Sequence, residues 1–181
     1  MHRSTLLSVT SHAIVALATT LSPMALAEPP HEHGTATLDV VLDGNRLLLD
    51  FESPLDNLVG FEHAPRSDKE RAALKTMEIS LRATERLLVP SAAAECRAAA
   101  AKVEQPFAGD AAGTGAKKES HGHSEAHVVW EFACKRPDKL AGVDVLLFDV
   151  FPGMKKINVQ TASPRGQASA TLTRARRKLS L

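Results

Sequence analysis

Beyond its amino-terminal stretch the sequence has no apolar run of about 18 residues, so its pattern asks for no membrane span. It also lacks an excess of charge of either sign. Lys and Arg number 22 against 21 for Asp and Glu, a formal net charge of +1. That balance removes the general argument for nucleic acid or an anionic surface as a partner. The exception is the tail Arg174-Ala175-Arg176-Arg177-Lys178. It could touch phosphates, but reads first as a solvated, frayed terminus. Cysteine is scarce: only Cys96 and Cys134 occur. There is no Gly-rich phosphate loop, no nucleophile elbow and no Cys-x-x-Cys, so the common motifs of phosphoryl transfer, acyl transfer and thiol redox chemistry are absent. No internal repeat appears. Nothing in the sequence argues for an enzyme.

What is there begins with a leader. Met1-His2-Arg3 supplies a positive start and Ala13 to Leu21 a short apolar core. Ala25-Leu26-Ala27 fits the small-x-small rule for cleavage before Glu28. Residues 1–27 therefore read as a secretory signal peptide, with no lipidation cysteine near the cut. Residues 28–181 are enough for one domain with a core. In an oxidising compartment an isolated cysteine pair is more often a disulfide than a metal site.

Register arguments give three hairpins. The first spans Thr35 to Glu52 about Asp43-Gly44, and pairs Val40 with Leu47, Leu38 with Leu49 and Ala36 with Phe51. The second joins Cys96–Val103 to His127–Lys135. Setting Cys96 opposite Cys134 puts Ala98 beside Phe132 and Ala100 beside Trp130. The third turns at Ser163-Pro164-Arg165-Gly166 and pairs Ile157 with Leu172, Val159 with Ala170 and Thr161 with Ala168. A strand is also expected near Val143–Leu147. Ser67 and Glu70 have capping-box spacing, and Leu74, Met77, Leu81 and Leu88 recur at helical intervals before Pro90. The expected fold is α+β, mainly antiparallel sheet built from hairpins with at least one packed helix.

The chemistry lies in the histidines. His31-Glu32-His33 precedes the first strand. In an extended chain both imidazoles would continue the outward face of Thr35, Thr37 and Asp39. His63 could return as a third nitrogen ligand, with Glu62 or water completing four-coordination. The spacing lacks the i,i+4 interval of a zincin. His121-Gly122-His123-Ser124-Glu125-Ala126-His127 forms a second group, at the end of a coreless loop at about residues 106–126. If extended, it puts His121, His123, Glu125 and His127 on one side. The plainer reading of both groups is a polar terminus and a polar linker that happen to hold histidines. Neutral imidazole suits zinc, and copper and nickel as well.

His31-Glu32-His33-Gly34 ahead of an alternating hairpin, and Ser53-Pro54-Leu55-Asp56-Asn57-Leu58-Val59-Gly60-Phe61-Glu62-His63-Ala64-Pro65, resemble the zinc-regulated periplasmic zinc-binding proteins of Gram-negative bacteria. This family is also known as domain of unknown function 2796. Phe148-Asp149-Val150-Phe151-Pro152-Gly153 and the Gln160-to-Leu172 hairpin are similar to its carboxy-terminal part. The resemblance implies zinc binding in support of periplasmic zinc acquisition, alongside a zinc-importing ABC transporter. It carries over to His31, His33 and His63 as the ordered site. His121, His123 and His127 would be an auxiliary capture site, shorter than the His-rich insert common in the family. The alternatives are a periplasmic interaction module with incidental histidines and, more remotely, a metal-dependent hydrolase.

Overall fold

Alternation of apolar and polar side chains, interrupted at Val41 and Leu48, builds the centre of the protein. The computed structural model describes residues 32–108 and 124–181, so the expected leader, His31, His121 and His123 lie outside the described residues. Strands β1 (Thr35–Asp43) and β2 (Arg46–Pro54) pair antiparallel. They bury Ala36, Leu38, Val40 and Leu42 against Leu47, Leu49 and Phe51. The register differs by two residues from the expected one: Leu38 lies opposite Phe51, and Val40 opposite Leu49. Gly44, at φ 56°, takes the first central position of a two-residue loop, where a II′ turn needs a positive dihedral. Because the displacement is even, the buried face is the one the alternation predicts.

Strand β4 (Cys96–Glu104) pairs antiparallel with β5 (Glu125–Cys134), which lies against β2. Cys96 faces Cys134 and the two form a disulfide. Ala98 faces Phe132 as expected, but a bulge then moves Ala101, not Ala100, beside Trp130. Four consecutive alanines make this strand indifferent to one extra residue, since a small side chain meets the indole either way.

On the other side of β1 runs β7 (Lys156–Ser163), parallel to it and followed by β8 (Gly166–Thr173). The β7–β8 register is the expected one, with Ile157 opposite Leu172, Val159 opposite Ala170 and Thr161 opposite Ala168. The six strands are ordered β4-β5-β2-β1-β7-β8. A smaller sheet joins β3 (Leu88–Pro90), β6 (Gly142–Val145) and β9 (Lys178–Ser180). The basic tail is therefore not frayed. Leu179 is buried opposite Val143, and Arg174 and Arg177 both reach Asp149.

Of the helices, α1 (Leu55–Val59) follows β2 directly, and α2 (Asp68–Arg82) carries the predicted capping box between Ser67 and Glu70. Leu74, Met77 and Leu81 form its buried face. Leu88 does not extend that face. The chain leaves helical geometry at Ala83 (φ −81°, ψ 57°), makes the short α3 (Thr84–Leu87), and enters β3 at Leu88. The strand expected near Val143–Leu147 stops at Val145, and Leu147 opens α4 (Leu147–Val150). The architecture is α+β, with two mostly antiparallel sheets. Among the described residues no helix is long and apolar enough to cross a membrane.

Candidate metal centre

The corner where β2 runs into α1 positions His33. Asn57 is buried, and its side chain is fully engaged. Its Oδ1 accepts from the Gly34 N–H at 2.5 Å, while its Nδ2 donates to the Thr35 carbonyl at 2.9 Å and to Ser53 Oγ at 3.1 Å. An amide is suited to this place because it offers donors and an acceptor together. The segment ahead of β1 is thereby fastened to α1. Gly34, at φ 83°, and the Thr35 N–H bonded to the Glu32 carbonyl at 2.9 Å make a turn there. That turn takes His33 out of the extended alternation, so His33 does not continue the outer face of β1 as expected.

His33 is set beside Asp56 instead, with Nδ1 2.9 Å from Asp56 Oδ2. A carboxylate only accepts, so Nδ1 carries the hydrogen and the lone pair of the neutral ring lies on Nε2. The Asp56 hydrogen bond, then the nearby charges of Glu62 and Asp56, raise the His33 pKa above its ordinary value. Glu32 is tied down from the other side by Lys156 Nζ at 3.0 Å. That contact holds its carboxyl below the usual range.

His63 lies in the connection from α1 to α2. Its Nδ1 donates to the Ala64 carbonyl at 3.0 Å, and its ring stacks on Phe61 with centroids 5.2 Å apart. Here too the arrangement leaves Nε2 with the lone pair. Glu70 is held below the usual carboxylate range, first by the Arg66 N–H, with the charge of His63 contributing. His63 is thus within electrostatic reach of Glu70, and Glu62 within that of His33. Among the described residues no three His, Cys, Asp or Glu side chains form a closed metal-holding group. The cysteines, joined to each other, offer no thiolate.

His127 has different surroundings. On β5 it sits opposite Glu52 of β2 and Glu104 of β4. Its Nε2 is 2.6 Å from Asp50 Oδ1, and its Nδ1 is 3.5 Å from Glu104 Oε2. Burial acts to lower its pKa, but Asp50, Glu104 and Glu52 together raise it. To take a metal, this ring must exchange a carboxylate for it. A group with a raised folded pKa stabilises the fold fully below its unfolded pKa of about 6.5, and that contribution is lost as pH rises through the folded value. The stability difference between the protein and His127→Gln should therefore be greatest in mild acid and shrink toward alkaline pH. Because the ring is partly exposed, the difference should stay within about 1 kcal/mol. Thermal unfolding across this window checks it; a difference that grows with pH would contradict the cationic pairing.

His31, His121 and His123 lie outside the described residues. Ser124, which follows His123 in sequence, gives its carbonyl to the Leu55 N–H at 2.8 Å. The described residues adjoining the two histidine groups therefore both attach to α1. Sequence reasoning missed Asp56 and Asn57 as site residues. No helix is expected from the sequence at Leu55–Val59, and nothing in the spacing pairs Asp56 with His33.

Over residues 30–181 the chain matches the family model described as ZrgA family zinc uptake protein. No curated protein matches the chain.

Proposed function

Since the chain belongs to the ZrgA family of zinc uptake proteins, we propose that it is exported to the periplasm and binds zinc there as cargo for acquisition. His31, His33 and His63 are the ordered ligands in this reading, and His121, His123 and His127 an auxiliary capture set. Zinc passes on to a component of a periplasmic zinc-importing ABC transporter. The protein works by binding and release, without a catalytic step.

The contact between His33 and Asp56 carries the reading. Zinc-binding imidazoles characteristically give their other ring nitrogen to a carboxylate or a backbone carbonyl, which fixes the tautomer and raises ligand basicity. His33 has the carboxylate of Asp56, His63 has the carbonyl of Ala64, and both keep Nε2 for a metal. Imidazole nitrogens with a carboxylate or water are a donor set suited to tetrahedral zinc. The attachment of both Gly34 and Ser124 to α1 and its flanks further supports a common location for the two groups.

Dialysis of the zinc-loaded protein tests the proposal. About one zinc ion per chain is expected to remain, measured by elemental analysis. Complete loss of metal would leave the histidines as ordinary surface groups.

A further inference from the structure

An outer strand leaves half of its backbone groups unpaired, and the two outer strands of the six-stranded sheet meet this problem differently. Strand β4 is bulged between Ala98 and Ala100 and bears Arg97, Lys102 and Glu104. Its Ala101 carbonyl also accepts from the Arg82 guanidinium at 3.3 Å. Charge, irregularity and a covering side chain all discourage another strand from adding there.

Among the described residues, strand β8 has none of these protections short of its last residue, where Arg176 bridges Thr173. Gly166-Gln167-Ala168-Ser169-Ala170-Thr171-Leu172-Thr173 contains no charge and no proline, and its register with β7 is unbroken. Residues 166–171 are all exposed. Thr173 gives its N–H to the Arg176 carbonyl at 3.1 Å and accepts from the Arg176 N–H at 2.9 Å. Its backbone groups therefore face away from β7. By the two-residue alternation of an antiparallel ladder, the N–H and C=O groups of Gln167, Ser169 and Thr171 face the same way. Among the described residues no strand pairs with them.

We propose that β8 is a self-association edge, through which two copies of this chain pair β8 to β8 antiparallel about a two-fold axis at Ser169. Ser169 then meets its own counterpart, Gln167 meets the counterpart of Thr171, and no like charges are opposed along the contact. On the other face Ala168 meets the counterpart of Ala170. Both alanines share the face of buried Ile157 and Val159 yet are exposed, and a second copy covers them. The pairing is isologous, and the protected β4 edge cannot continue it, so growth stops at the dimer. A second copy is favoured over a charged partner segment because the edge is neutral and matches its own length and hydrogen-bonding pattern. The inference is independent of the zinc reading.

Sedimentation equilibrium of the metal-free protein over a range of concentrations is the test. The parent should show a monomer–dimer equilibrium. Ser169→Lys and Ser169→Asp should each be monomeric, because each opposes like charges on the axis. An equimolar mixture of the two should recover the dimer as a Lys–Asp pair. Circular dichroism of each variant confirms that its fold is kept. A parent that stays monomeric throughout overturns the proposal. So do separate variants that dimerise as the parent does, or a mixture that remains monomeric.

Discussion

Replacing His31, His33 and His63 together by alanine is expected to remove the tight phase of a zinc titration, leaving only weaker binding. Asp56 holds the Nδ1 side of His33 and the Ala64 carbonyl holds the Nδ1 side of His63, so each ring is oriented before metal arrives. What remains in the variant is the histidine set of residues 121–127. Of these, His127 is already engaged by Asp50 and Glu104. The more discriminating variant is Asp56→Asn, which keeps every proposed ligand. Losing the carboxylate behind a metal-bound imidazole typically weakens binding about 10–100-fold. Isothermal titration of zinc into the metal-stripped proteins measures both. Equal affinity and stoichiometry in parent and triple variant would place the ligands elsewhere and sink the assignment. The raised pKa of His33 adds a pH dependence: the proton competes with zinc, so affinity should fall on acidification, starting above the ordinary imidazole range.

Truncating Trp130 to alanine should cost about 3–5 kcal/mol of stability, the range for large aromatic side chains removed from a packed core. Trp130 is fully buried on β5 and contacts Phe51 of β2 with ring centroids 5.7 Å apart. Its indole Nε1 also donates to the Leu81 carbonyl at 2.7 Å. Leu81 is in the last turn of α2, where carbonyls lack partners within the helix. One side chain thus fills the core and satisfies the helix end that packs on the sheet. Trp130→Phe keeps most of the volume but leaves that carbonyl unpaired, and should cost about 1–3 kcal/mol. Urea unfolding of the three proteins checks the order. A loss below about 1 kcal/mol for the alanine variant would show that the helix and sheet do not depend on this contact.

The parts of the fold legible in the sequence were those with a short-range cause. Alternation fixed which face of β1 and β2 is buried, Ser67 and Glu70 marked the start of α2, and the cysteine pair set the β4–β5 register at one end. The β7–β8 hairpin was readable throughout because its turn and all its facing pairs agree. Where neighbouring registers are nearly equal in energy, the local signal failed. A two-residue slip at Gly44 keeps the same face inward, and the alanine run in β4 accepts an extra residue without penalty. Leu88 has helical spacing, yet its burial is satisfied in β3.

The sequence by itself made the histidines the candidate metal ligands, since their clustering needs no coordinates. It also determined the α+β class through its periodicities. Tertiary structure alone decided how His33 and His127 are held. Asp56 meets His33 across 23 positions, and Asp50 meets His127 across 77, because sheet pairing and the buried Asn57 bring distant segments to one place. The parallel β1–β7 pair is of the same kind. Contacts like these arise from the packing of whole elements, and no spacing along the chain encodes them.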